Sequence, residues 1–275
     1  MTPVPRRAFP CRAALVRLAA VFAVAGAAAC AAAPGRVPRG VAEPDRYLYE
    51  HGTKALNDKK WLTAREYFQQ LVDAYPQSPH RADAMLGIGD THLGDGTPEG
   101  FVNAQQEFSG FLNYYPTHPR ADYAQYKLAL THYYQMGEPE RDQTETRLAI
   151  QQFGTLFKRF PNSKISAAAR PQYREARDRL SESTYRVGLF YFRQQWYPGA
   201  ITRFREVLEG DPHYTYRDAV YFHLAESLIR VNQQAAALPY LDRLQKEFER
   251  SEYLVRAKEL SARLKSSMDD KVKPS

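Results

Sequence analysis

The pattern Ala-x3-Phe-x2-Leu-x3-Tyr recurs five times along this 275-residue chain, and it constrains the fold more than any other feature. The copies read Ala64/Phe68/Leu71/Tyr75, Ala104/Phe108/Phe111/Tyr115, Ala149/Phe153/Leu156/Phe160, Ala200/Phe204/Val207/Asp211 and Ala237/Leu241/Leu244/Phe248. Steps of four, three and four residues return to one stripe of an α-helix, so each copy is expected to be a helix with one apolar face. An isolated stripe describes any core helix. Five in phase describe an array, in which each unit buries its apolar face against its neighbours.

Four copies run directly into proline, as Tyr75-Pro76, Tyr115-Pro116, Phe160-Pro161 and Asp211-Pro212. Proline restricts the residue before it to extended conformations, so each helix is expected to stop there, with the aromatic folding over the start of the next helix. Twelve residues before three of the Ala anchors stands a small residue: Gly52, Gly188 and Ala225. Small side chains let antiparallel helices cross closely, which makes the repeating unit a helix pair. This layout resembles a tetratricopeptide repeat, whose period is about 34 residues. The anchors here are 40, 45, 51 and 37 residues apart. The excess is assigned to widened turns at Gly94–Gly100 and Gly137–Asp142 and to one long first helix over 164–194. A stripe of Tyr253, Leu254, Ala257, Leu260 and Leu264 within Ser251–Lys265 reads as a closing helix. The expected fold is all-α: an α-solenoid of about five tetratricopeptide-like helix pairs with a C-terminal capping helix. It occupies 45–267, with 268–275 a disordered tail, and the first helix of each pair lines a concave side suited to holding a partner.

The first 29 residues are of another kind. Arg6, Arg7, Arg12 and Arg17 precede Leu18–Ala29, an uncharged run too short to span a bilayer, which is the composition of an export signal. It ends Ala27-Ala28-Ala29-Cys30, similar to a bacterial lipobox with Ala27 in place of the usual Leu. Plain cleavage after an Ala-x-Ala triplet is the alternative. Cys11 lies in the leader and Cys30 is the only other cysteine, so the mature chain has no disulfide. A free thiol at the cleavage site favours lipidation, with diacylglycerol and an N-acyl chain on Cys30 as the only non-protein group expected. Ala31 follows, without the Asp that marks retention at the inner membrane, so the expected location is the periplasmic face of the outer membrane. Residues 30–44, rich in Pro and Gly, form a tether.

The formal charge of +7 includes the four leader arginines; without them 34 basic residues face 31 acidic ones. Acids and bases interleave along most helices, so nucleic acid is not an expected partner. Seven scattered histidines show no metal-ligand spacing, and Gly87-Ile88-Gly89-Asp90 follows no strand, which reduces it to close helix packing. No nucleophile motif occurs, so an enzyme is not expected. The chain does hold 19 tyrosines. Tyr49, Tyr123, Tyr126 and Tyr134 fall on first helices off the core stripe, where a half-exposed ring with a hydroxyl suits an extended peptide with alternating apolar side chains. The competing account is that these rings complete inter-helix packing.

Several segments together resemble the BamD family (also YfiO or ComL), lipoproteins of the outer-membrane β-barrel assembly machinery. They are the Tyr-Pro endings, Asp122-Tyr123-Ala124-Gln125-Tyr126, Arg141-Asp142, Phe160-Pro161-Asn162-Ser163 and Asp178-Arg179-Leu180. Asp211 departs from the pattern, replacing an aromatic. The resemblance implies a scaffold whose amino-terminal repeats receive unfolded outer-membrane β-barrel proteins, with Tyr49, Tyr123 and Tyr126 as the expected contacts. It implies that the carboxy-terminal repeats dock a POTRA domain of the BamA insertase through Arg203, alongside other assembly-machinery lipoproteins. Two other tetratricopeptide proteins stay open, a Tol-Pal-associated coordinator of cell-wall synthesis and a secretin pilotin.

Overall fold

The recurring anchors are the core. Ala64, Phe68 and Leu71 and their counterparts in the other four copies are at most 2 % exposed. The computed structural model describes residues 37–272, so the leader, Cys30 and most of the tether lie outside the described residues. Twelve helices, and no strand, occur among the described residues. They are α1 (Pro44–Asn57), α2 (Trp61–Ala74), α3 (Arg81–Asp95), α4 (Pro98–Tyr114), α5 (Ala121–Tyr133), α6 (Thr144–Arg159), α7 (Lys164–Ala168), α8 (Arg170–Arg193), α9 (Tyr197–Gly210), α10 (Arg217–Arg230), α11 (Gln234–Glu247) and α12 (Leu254–Val272). This is an all-α solenoid of tetratricopeptide-type pairs, α1/α2, α3/α4, α5/α6, α8/α9 and α10/α11, closed by α12. The chain divides into two compact units, one ending at Ala84 and the other beginning at Met85.

Within a pair, the small residue faces the Phe anchor and not the Ala. A Cβ on Gly52 would stand 2.7 Å from the Phe68 ring, and one on Gly188 would stand 2.6 Å from the Phe204 ring. Gly89 has the same relation to Phe108, at 2.7 Å, which is the packing role its sequence context implied. Where the anchor is the smaller Leu241, the residue sixteen positions earlier is Ala225. Ring size on one helix thus sets how small the facing residue must be on the other.

All five second helices end in one geometry. Tyr75, Tyr115, Phe160, Asp211 and Phe248 have φ between −128° and −142° and ψ between 55° and 82°, and each backbone N–H still bonds the carbonyl four residues back. Phe248 reaches it before Glu249, so proline reinforces this stop without being required for it. Phe248 also turns back over its own pair: its ring lies 6.3 Å from Tyr221 of α10, beneath the Arg217 guanidinium.

Hydroxyl groups beyond the second helices bond back to an Asp on the first. Ser78 donates to Asp45 at 2.7 Å, Ser163 to Asp122 at 2.5 Å, Thr215 to Asp178 at 2.7 Å and Ser251 to Asp218 at 2.6 Å. The serine oxygens also accept from a backbone N–H two residues on, at His80, Ile165 and Tyr253, so each ties a turn down twice.

Three expectations are corrected. The 94–100 turn shrinks to Gly96–Thr97, because Gly94–Asp95 continue α3 and Pro98–Gly100 open α4 beneath a Thr97 cap. The 164–194 helix is broken into α7 and α8 around Ala169, where Pro171 has no N–H to offer the carbonyl of Ala167. The helix begun at Leu254 runs through the tail boundary at 267 to Val272, since no Gly or Pro interrupts it before Pro274.

Asp211, the one non-aromatic ending, is 3 % exposed and accepts from two nitrogens of Arg174, with Arg177 at 3.5 Å and Ser181 donating at 3.1 Å. Burial works against this carboxylate, but Arg174 and Arg177 outweigh it and hold its pKa below the ordinary aspartate value. An ion-pair lock onto α8 therefore replaces the aromatic contact.

Two outcomes test this packing. Gly188→Val is expected to destabilise the protein by about 2 kcal/mol by urea unfolding, and Phe204→Leu in the same chain is expected to recover part of the loss, as the Ala225/Leu241 pairing implies. Asp211→Asn is expected to cost about 2 kcal/mol at pH 7, because it removes the buried carboxylate that Arg174 and Arg177 share and leaves Arg174 only Asp178, at 3.1 Å, as a counter-charge. A depressed aspartate pKa contributes stability above the unfolded value, about 3.9, and loses it as pH falls through the folded one. The difference between wild type and Asp211→Asn should therefore shrink in urea titrations repeated below pH 4.

Candidate partner-binding surfaces

Tyr123 and Tyr126 both lie on α5, whereas Tyr49 lies on α1 in the other unit. The Tyr123 hydroxyl donates to Asp90 of α3 at 2.7 Å, and Lys127 pairs with the same carboxylate at 2.9 Å. Arg120 lies 4.6 Å above the Tyr123 ring. Burial first, and then the Asp90 charge, push the Tyr123 pKa up to about 12. The phenol therefore stays protonated and holds its ring in place.

Tyr126 packs 6.4 Å from Phe153, and its hydroxyl accepts from Gln172 of α8 at 3.2 Å. Two turns on, Tyr133 stands 6.2 Å from Phe153 and donates to Glu175 at 2.5 Å. Tyr49 stacks on His80 at 4.7 Å and lies 6.3 Å from Phe68. Each of these rings thus has a partner within the chain and each is half-buried. Tyr134 is more exposed, at 56 %, and caps the C-terminus of α5 instead of lying within a first helix.

Arg203 sits on α9 with its side chain 42 % exposed; it donates to Glu206 at 2.7 Å and lies within interaction range of the Tyr191 hydroxyl. That pair raises its pKa above the ordinary arginine value. A surface i,i+3 pair of this kind leaves the guanidinium available to a stronger acceptor.

The sequence reading did not find a cleft of about 750 Å³ on α8 between the 134–143 loop and α10. Tyr185, Tyr216 and Tyr253 line it beside Pro139, Arg179 and Arg186. The loop is pinned to its wall: Arg179 donates to the Gly137 carbonyl at 2.9 Å, and Arg186 pairs with Glu140. Inside the loop, buried Gln143 donates to the carbonyls of Glu138 and Arg141 at 2.8 and 3.0 Å. The sequence signal was the alternation Arg174, Glu175, Asp178, Arg179, Glu182, Arg186 along one helix, which reads as a solvated face until the loop is placed over it. Deeper in, burial holds His223 below its ordinary pKa, so it is neutral at neutral pH. Among the described residues no His, Cys, Asp or Glu cluster could hold a metal ion, and no helix is long and apolar enough to cross a membrane.

Comparison with known proteins bears on these surfaces. A family model described as "YfiO: Outer membrane lipoprotein" matches residues 41–237. The chain is 29 % identical over 225 residues to the outer membrane protein assembly factor BamD of Caulobacter vibrioides, covering 80 % of this chain and 72 % of the relative. It is 28 % identical over 200 residues to the protein of that name from Vibrio cholerae, covering 66 % and 78 %. Among solved structures, the TPR2AB domain of yeast Sti1 aligns with a TM-score of 0.42 at 12 % identity, covering 80 % of this chain and 98 % of that one. The helix pairs, the Asp-Tyr-x-x-Tyr segment of α5 and the sequence match over most of the described residues converge on one assignment: the chain belongs to the YfiO (BamD) family of outer-membrane lipoproteins.

Proposed function

We propose that this chain is a non-enzymatic scaffold of outer-membrane β-barrel assembly, anchored by lipid on Cys30 to the periplasmic face of the outer membrane. The observation that carries this reading is the family match over residues 41–237, whose curated relatives are named assembly factors. An unfolded barrel strand has unpaired backbone groups and alternating aromatics, and it pairs with other strands unless held apart. Rings fixed by their neighbours, such as Tyr49, Tyr123 and Tyr126, offer apolar faces at low entropic cost. The carboxy-terminal repeats then dock a POTRA domain of the insertase, with Arg203 meeting an acidic group there, and other assembly lipoproteins join the complex. Lipid anchoring beside the insertase raises the effective concentration of held clients.

Three measurements test this reading. Cells fed a palmitate analogue should label the wild type and not Cys30→Ala; equal labelling would remove the anchor. The full mature chain should bind a peptide with alternating aromatics and a terminal Phe at least about tenfold more tightly than its scramble, and equal affinities would reject a specific receiving site. Arg203→Glu should weaken capture of the POTRA domains while leaving the melting temperature unchanged, because its ion pair with Glu206 is a surface pair.

A further inference from the structure

The turn joining α8 to α9 carries more exposed aromatic surface than its own packing requires. Phe190 and Trp196 are 58 % and 55 % exposed. Tyr191 links them, its ring 5.7 Å from Phe190 and edge-on to Trp196 at 4.7 Å. The turn forms without such residues elsewhere in the chain. Gln195 has φ 59°, matched by Lys59 at 58° and Asn232 at 60° in the α1–α2 and α10–α11 turns. The next residue is Trp196 here but Lys60 and Gln233 there, and Trp196 and Lys60 share φ −86° and ψ 70°.

Trp196 is also held in advance. Its ring lies over Gly199, where a Cβ would come within 2.5 Å, and its backbone N–H donates to the Tyr191 carbonyl at 2.9 Å. An exposed ring that is already ordered loses little entropy when a partner covers it.

The surroundings are basic. From Val187 to Arg205 the chain has Arg193, Arg203 and Arg205 and no acid. Arg193 is exposed and forms no ion pair among the described residues; with Phe190 it lines a depression of about 390 Å³, whose acids Glu140 and Glu182 already pair with Arg186. Arg203 stands on the other flank, within interaction range of the Tyr191 hydroxyl. Exposed Trp196 and Phe190 joined by a half-buried Tyr191, between arginines, is the composition of a protein-binding hot spot. Two flanking arginines fall short of the four to eight basic residues typical of an anionic-lipid site.

We infer that Phe190, Tyr191 and Trp196, between Arg193 and Arg203, form the aromatic half of a docking surface for a folded domain that presents an apolar side chain ringed by carboxylates. This rests on the proposed POTRA docking at Arg203 and extends it to a named set of energetic anchors. The test titrates the full mature chain with the purified POTRA domains of its own insertase, using Phe190→Ser, Trp196→Gln and Arg193→Glu. Trp196→Gln installs the residue that Gln233 supplies at the equivalent turn, and thermal melts confirm that each variant is folded. The two aromatic variants should each raise Kd about tenfold or more, and Arg193→Glu should slow association and flatten its salt dependence. Wild-type affinity in both aromatic variants, with Arg203→Glu still impaired, would overturn the patch and leave the docking reading standing. No binding by the wild-type chain would overturn both. Loss of co-sedimentation with phosphatidylglycerol vesicles in Trp196→Gln, with POTRA binding unchanged, would assign the patch to the membrane and overturn the protein partner.

Discussion

A phenylalanine ring lying directly on the backbone of the facing helix sets the geometry of three helix pairs, α1/α2, α3/α4 and α8/α9. Gly52, Gly89 and Gly188 leave no side chain between ring and backbone, so the distance between the two helices is fixed by the thickness of an aromatic ring. Dense packing of this kind tolerates little change on either side. It also frees the rest of each helix: once the crossing is set, residues off the stripe can vary for other purposes. The tyrosines of α5 and the charged face of α8 are what this chain has placed there.

Asp211 shows how far the position that ends a repeat can change while its geometry is kept. Its backbone follows the same path as Tyr75, Tyr115, Phe160 and Phe248, so the stop is a property of the helix register and the following turn. What changes is the partner. The aromatics rest half-buried on apolar surface, whereas Asp211 is driven inward by Arg174 and Arg177 of α8. A long helix rich in arginine is the context in which a buried acid can be satisfied.

Periodicity made the helix pairs, the anchors and the closing helix legible, because a buried stripe must repeat at the helical period whatever surrounds it. The loop conformations were less so. Gly94 and Gly100 were read as turn residues, yet the first extends α3 and the second sits under the Thr97 cap at the start of α4, since glycine permits a turn without dictating one. The break at Ala169 depended on where Pro171 fell relative to the preceding turn. The candidate surfaces were the least legible part. Tyr123 and Tyr126 could be placed on one face by spacing, but the bonds that orient them, to Asp90 and Gln172, join residues 33 and 46 positions apart. The cleft on α8 needs a loop from another pair to make its wall.

Those long-range bonds bear on what the proposed receiving role requires. A surface that receives many different unfolded chains cannot rely on shape complementarity to any one of them. It can rely on rings whose orientation is settled before the client arrives. Tyr123 is fixed by a half-buried acid and two cations, Tyr126 by Phe153 and Gln172, and Tyr49 by stacking on His80. In each case the partner that completes the internal packing also fixes the orientation of a half-buried ring. The packing role and the receiving role proposed for these tyrosines are therefore compatible, and the first supplies the rigidity on which the second depends.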